Sequence, residues 1–318
     1  MRQISAETWL RRSRFLDSIR SFFKQWDFIE VETPLLHPTG TPEPFIENLI
    51  AKDTVDDSEQ FLITSPEFHL KQVVSELKRP VFQIAHVFRG GDGRQLSPIH
   101  TREFLLLEWY WPDHNEYQLI DQISALIKHL ALEFAPHLPT IHPELITMQD
   151  LLFKYAGCLT DRPAIEKKSI ELGIVSTQQA GMDRYDELFF RLFLHCVEPN
   201  LDQYKQPLFV HAYPKELAVY SALADDGTTS RRFELYWRGI ELANGYYELT
   251  DAGEQSDRFN ADNIIRQQSG RPIREIDTGL MRALRSGMPQ SSGVALGIDR
   301  LFMLLSAADR IEEISPFR

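Results

Sequence analysis

Cysteine is nearly missing from this sequence of 318 residues. Cys158 and Cys196 are too few for a disulfide framework, and neither stands at a metal-ligand spacing. A cytoplasmic location is the resulting expectation. Basic charge is also short, with 34 Lys and Arg against 46 Asp and Glu and a net charge of −12. Wrapping nucleic acid by bulk electrostatics needs the opposite balance, so any anionic ligand must be met by specific arginines. No apolar run is long enough to cross a membrane, and no basic–apolar–small leader is seen. Internal repeats and low-complexity segments are absent as well. What is present, 43% hydrophobic and 25% charged residues, is the composition of a globular protein. The length allows one large domain or two ordinary ones.

One stretch organises the rest, Arg231 to Asp251 (RRFELYWRGIELANGYYELTD). It sets Glu234, Glu241, Glu248 and Asp251 in a largely apolar run with Phe233, Tyr236, Trp237, Tyr246 and Tyr247. Burying an unpaired carboxylate costs several kcal/mol, so acids in such a run call for cations or donors. Two readings stand side by side. Glu234 and Glu241 hold a magnesium–triphosphate complex and Glu248 a substrate ammonium, or the stretch is a hairpin with surface carboxylates.

Along the chain, residues from about Thr8 to Trp26 have the spacing of an amphipathic helix. Leu10, Ile19, Phe22, Phe23 and Trp26 form its apolar side, and Arg11, Arg12 and Arg14 fall largely between them. Phe28 to Glu32 alternates like a half-buried strand and stops at Thr33-Pro34. Phe61 to Lys71 predicts a strand running into a helix, with Ser65 as N-cap, Pro66 at the first helical position and Glu67 in the first turn. Leu70, Val73, Val74 and Leu77 supply that helix's buried stripe. Glu67 there either complements the helix dipole or accepts from an ammonium group. Val81 to Phe88 and Glu103 to Trp111 predict two strands joined by a glycine-rich basic loop. Phe104, Leu106, Glu108 and Tyr110 share one face of the second. Arg89, at a strand end with Arg94 and Arg102 nearby, suits a phosphate, as arginine binds phosphate bidentately. Residues 142–208 predict helices, with His195 and Cys196 as core packing. Ser291 to Gly297 reads as a strand of small residues open to a ligand's approach. Arg300 follows in the first turn of a helix, where a cation is tolerable opposite an anion.

Phe28–Pro34, Phe88-Arg89 through Glu103-Phe104, and Gly293–Arg300 resemble motifs 1, 2 and 3 of class II aminoacyl-tRNA synthetases, in order. Glu-Leu-Ala-Asn-Gly-Tyr-Tyr-Glu-Leu-Thr-Asp (241–251) points to the lysyl type. The resemblance covers nearly the whole chain. It implies an α+β fold, a mainly antiparallel sheet flanked by helices, as one catalytic domain over 1–318 with a helical insertion near 142–207. The match begins almost at Met1, leaving no room for an anticodon-binding domain. Ala295 stands where lysyl-tRNA synthetases typically have Gly. Both features, with Glu108-Trp109-Tyr110, resemble the truncated relatives that ligate (R)-β-lysine to elongation factor P. An added methyl in a closely packed pocket is felt, which suits an altered lysine isomer.

The resemblance further implies ATP and Mg2+ as cofactors, lysine or β-lysine as substrate, elongation factor P rather than tRNA as acceptor, and a homodimer formed through motif 1. Arg89 would hold the α-phosphate, Phe104 stack on adenine and Arg300 meet the γ-phosphate. Gly91, His100, Thr101, Leu242 and Gly297 join them around the nucleotide. Glu234 and Glu241 would ligate magnesium. Ser65, Pro66 and Glu67 would line the substrate amine pocket, and Glu108, Tyr110, Asn244 and Glu248 the side-chain ammonium, with Ala295 shaping the cavity. Gly91 departs from the motif 2 pattern, which carries Glu at that place, and Thr101 stands where Asn is usual. Three alternatives follow: tRNA charging, a related amide-forming synthetase with another acceptor, and a catalytically silent paralogue that binds or regulates.

Overall fold

A computed structural model describes residues 4–90 and 97–316. Gly91, Asp92 and Arg94 therefore lie outside the described residues. The chain divides into two compact units, residues 1–139 with 248–318, and residues 140–247.

The first unit opens with helix α1, Ala6–Gln25, capped by the Ser5 side chain accepting from Thr8 N–H at 3.1 Å. The expected helix forms with a different buried face. Phe15, Ser18, Ile19, Phe22 and Phe23 are buried together with Arg12, while Leu10 is 68% exposed. Arg12 is inside because Asp299 meets it at 2.6 Å, and the other Asp299 oxygen accepts from Leu105 N–H at 2.9 Å. A buried charge with a partner is tolerated where an unpaired one is not.

Strand β1, Ile29–Glu30, is shorter than the alternation suggests. Strands β2 (Leu36–His37), β3 (Ile50–Lys52) and β4 (Glu59–Leu62) make a small sheet in the order β2-β4-β3. Helix α2 runs Glu67–Leu77. Pro66 takes the N-cap place expected for Ser65, whose hydroxyl accepts from Glu67 N–H at 3.0 Å instead. Strands β5 (Val81–Phe88) and β6 (Glu103–Pro112) pair antiparallel, and helix α3 spans Glu116–Phe134.

The second unit begins with β7, Glu144–Thr147, and the helices α4 (Met148–Ala156), α5 (Arg162–Glu171), α6 (Thr177–Met182) and α7 (Tyr185–Cys196). Their apolar faces close over Leu208 and Val210 of β8, Leu208–Pro214. Cys196 packs against this core, but His195 is exposed, on the outer face of α7, contrary to expectation. Strands β9 (Thr229–Trp237) and β10 (Ile240–Tyr247) form the anticipated hairpin, and β7 to β10 make up this unit's mostly antiparallel strands. Trp237 pairs with Ile240 across a two-residue turn. Both turn residues, Arg238 (φ 52°) and Gly239 (φ 76°), have the positive φ that a tight hairpin requires.

Back in the first unit, α8 (Ala252–Gln268) and α9 (Thr278–Arg285) precede β11, Ser291–Gly297, and α10, Ile298–Leu305. Strand β1 pairs parallel with β5, and β11 antiparallel with β6. The alternation of β6 gives its two faces different work. Trp109 points to one side, 5.1 Å from Phe23, which stacks on Phe82 at 4.6 Å. Phe104, Leu106, Glu108 and Tyr110 point to the other.

Candidate active site

On that second face, ladder register places Gly293, Ala295 and Gly297 of β11 opposite Tyr110, Glu108 and Leu106. Gln83 of β5 flanks Glu108 on the other side. The small residues leave space for side chains that arrive from elsewhere in the unit. A Cβ on Gly293 would lie 2.4 Å from both Glu248 Oε1 and Tyr110 Cε1.

Glu67, Glu108 and Glu248 thus meet, as the sequence reading expects. Their environment contains one group it overlooks. Lys71, only 2% exposed, sets its ammonium 2.6 Å from Glu67 Oε1 and 2.8 Å from Glu248 Oε2. The face of α2 that turns inward is Leu70, Lys71, Val74 and Ser75, while Val73 is half-buried and Leu77 43% exposed. The stripe is therefore rotated toward Lys71, because an ion-paired lysine can occupy a buried position that periodicity of apolar residues cannot reveal. The four-residue spacing of Glu67 and Lys71 on a helix was the available signal.

Tyr110 donates its hydroxyl to Glu108 Oε1 at 2.9 Å, and Ser65 lies nearby. Glu108 Oε2 and Glu248 Oε1 are buried with no hydrogen-bond donor among the described residues. Two bare carboxylate oxygens in one pocket are costly unless a cation or proton joins them. Burial, then repulsion from Glu67, pushes the Glu108 carboxyl up to about 8. Burial also raises Glu248 to about 7, against the opposing pull of Lys71. Burial and Glu108 hold the Tyr110 phenol protonated well above its ordinary range, so it remains a donor.

A pH dependence with a definite sign follows. The folded-state values of Glu108 and Glu248 lie above those of an unfolded chain, so the folded state holds protons that the unfolded state has released. Stability of the ligand-free protein should therefore fall as pH rises between about 5 and 8. Urea unfolding across that range checks this, and Glu108→Gln should flatten the slope. A slope unaffected by Glu108→Gln would contradict the assignment.

The arginines expected at phosphates lie at the other end of the same face. Exposed Arg89 sits 5.2 Å from the half-buried Phe104 ring, and its N–H donates to Arg102 O at 2.8 Å. Arg300, in the first turn of α10, donates from Nε to Ile99 O at 3.3 Å. Both arginines thus flank the segment 99–104. His100, exposed, approaches Ser97 Oγ at 2.6 Å, and the Thr101 hydroxyl donates to Glu103 O at 2.7 Å. Gly297 is the N-cap of α10, Pro66 that of α2, and Ala295 packs half-buried with Phe104. A half-exposed ring with an arginine over it suits an aromatic base beside its phosphates.

In the second unit, Arg232, Glu234 and Tyr236 share a face of the β9–β10 hairpin with Glu241, Asn244 and Tyr246, by register. Glu234 is buried and accepts from Arg232, from Tyr213 at 2.5 Å and from Tyr236 at 2.5 Å. Arg232 Nε also donates to Asn244 Oδ1 at 3.2 Å, and Asn244 Nδ2 donates to Tyr246 at 2.8 Å. A metal at Glu234 would have to share oxygens that already carry three donors. Glu241 is exposed on the same face, while Leu242, at the register shift that follows, is buried. No group of three or more His, Cys, Asp or Glu able to hold a metal exists among the described residues. Glu241 is the exposed carboxylate of this face, of the oxygen-ligand type that a hard cation such as magnesium takes. The Arg232 network was not anticipated, since a strand residue's burial depends on partners distant in sequence.

The chain belongs to the family of class II tRNA synthetases (D, K and N), whose model matches residues 1–318. Within that class it is similar to the elongation factor P–(R)-β-lysine ligases. It is 36% identical to the one from Pasteurella multocida over 320 residues, 98% of this chain and 95% of the relative. The ligase from Edwardsiella ictaluri is 33% identical over 97% of this chain and 94% of its own length. That from Baumannia cicadellinicola is 36% identical over 96% and 93%. No helix among the described residues is long and apolar enough to cross a membrane.

Proposed function

We propose that this protein activates (R)-β-lysine, or lysine, with ATP and transfers it to a lysine side chain of elongation factor P. The observation that carries this reading is the meeting of Glu67, Glu108 and Glu248 around bare, buried oxygens. Such a pocket selects ammonium groups, because a neutral isostere leaves the carboxylates uncompensated. The names and coverage of the relatives supply the acceptor.

The chemistry has two steps. A substrate carboxylate oxygen attacks the α-phosphorus of ATP, forming a mixed anhydride with AMP and releasing pyrophosphate. The acceptor amine then attacks the carbonyl carbon, forming an amide, losing a proton and expelling AMP. The protein supplies position and charge rather than a nucleophile. Ser65, Pro66 and Glu67 receive one substrate amine; Glu108, Tyr110 and Glu248 receive the side-chain ammonium. Phe104 offers a stacking face for adenine, Arg89 neutralises the α-phosphate and Arg300 the γ-phosphate. The second unit's Glu241, Leu242 and Asn244, with Glu234, take their roles from the family pattern. Magnesium, when bound, screens phosphate charge. A homodimer formed through residues 28–34 and a cytoplasmic location complete the proposal.

The test offers the protein ATP with α- or β-lysine, then elongation factor P or tRNA, and follows acceptor mass. Elongation factor P should gain one lysyl unit, more readily from the β isomer. Charged tRNA beside unmodified elongation factor P would overturn the reading.

A further inference from the structure

The pocket contains a cation of its own that the proposed chemistry does not use. Lys71 takes one oxygen from Glu67 and one from Glu248, leaving Glu248 Oε1 and Glu108 Oε2 bare. A buried ion pair can often be replaced by apolar packing without loss of stability, so fold stability alone gives little reason to place a lysine there. Charge gives a better one. Once a bound cation has displaced their protons, three carboxylates and one ammonium leave two negative charges, and a diamino acid brings two ammonium groups. Without Lys71 the pocket would carry a third.

We infer that Lys71 is a positioning residue that holds Glu67 and Glu248 in their ligand-receiving orientations and trims the pocket's charge to match a diamino acid. This rests on the activation of such an acid proposed above. Titratable groups that face the Lys71 ammonium include Glu67 from its own helix and Glu248, and its charge reaches Glu108 of β6, to which Tyr110 donates. Lys71 holds down the proton affinity of Glu248, and its charge acts on Glu108 in the same sense. Removing it makes both carboxyls harder to ionise, and an incoming ammonium must then displace more protons.

The experiment is the pH profile of KM in lysine-dependent ATP–pyrophosphate exchange, for wild type, Lys71→Met and Lys71→Arg. In Lys71→Met the pH at which KM falls to its plateau should rise by about one unit, and KM at pH 7 by about tenfold. The kcat at the plateau should change far less, and Lys71→Arg should keep the wild-type midpoint. A purely structural lysine would lower activity at every pH with the midpoint unmoved, and that result overturns the inference. If Lys71→Met does not fold, calorimetry with lysine in two buffers of different ionisation enthalpy compares wild type with Lys71→Gln. More protons released near pH 7 by Lys71→Gln supports the inference, and equal release overturns it. Absence of any lysine-dependent exchange or binding in wild type would instead remove the diamino-acid reading, and this inference with it.

Discussion

Glu248→Gln should reduce lysine-dependent ATP–pyrophosphate exchange by about 10²- to 10³-fold, mostly through KM. Glu248 is 1% exposed, gives one oxygen to Lys71 and keeps the other bare. An amide in its place preserves shape and an acceptor oxygen but removes the charge that an ammonium group would meet. Loss of one partner of a buried charge pair costs about 2–5 kcal/mol in binding, which sets the expected range. The fold should suffer less than the binding. Lys71 keeps Glu67 at 2.6 Å, and a carboxyl raised to about 7 is already half neutral at neutral pH. Exchange rates as a function of lysine concentration, beside urea unfolding of the same preparations, separate the two effects. A variant with wild-type KM would remove the ammonium from Glu248. One that loses stability and binding in proportion would make Glu248 a structural residue.

Much of this site could be read from the sequence because its parts sit at element boundaries with local signatures. A strand that meets Ser65-Pro66-Glu67 marks a helix start even though the cap proves to be Pro66. Strand period alone puts Glu108 and Tyr110 on one face. Lys71, Arg12 and Arg232 were not legible for a common reason. Each is a buried cation held by an ion pair that the fold takes inside: Lys71 and Arg12 with the remote acids Glu248 and Asp299, and Arg232 with Glu234 on its own strand face, where Tyr213 arrives from β8. Periodicity counts apolar residues as buried and charged ones as exposed, so it rotates a helix face wherever an ion pair goes inside. That is why α2 turns Lys71 and Ser75 inward in place of Val73 and Leu77. The division at residues 247/248 was hidden, since it cuts through the stretch 231–251 without any glycine- or proline-rich linker, whereas the one at 139/140 falls among Pro136, Pro139 and Pro143.

Gly293→Ala should damage the pocket as severely as the loss of a carboxylate, by a different physical route. Gly293 stands opposite Tyr110 in the β6–β11 ladder. A methyl there would meet Glu248 Oε1 and Tyr110 Cε1 at 2.4 Å and Tyr110 Cδ1 at 2.6 Å. Contacts that short do not persist, so one neighbour must move. Tyr110 is only 3% exposed and anchored by its hydrogen bond to Glu108, and the strand backbone is held by both ladders. Glu248 is left to yield, and its displacement breaks the 2.8 Å pair with Lys71. Overpacking of this kind costs about 1–3 kcal/mol of stability, and exchange activity should fall by about 10²-fold or more as the acid leaves its place. Gly181→Ala is the matched control. Gly181 lies in α6 with nothing within 4 Å of an added Cβ, so that change should be neutral or stabilise by up to about 1 kcal/mol. If Gly293→Ala retains full exchange activity and unfolds at the wild-type urea midpoint, the close approach of Glu248 to β11 is not a feature of the working enzyme. The pocket would then have to be assembled from Glu67 and Glu108 without it.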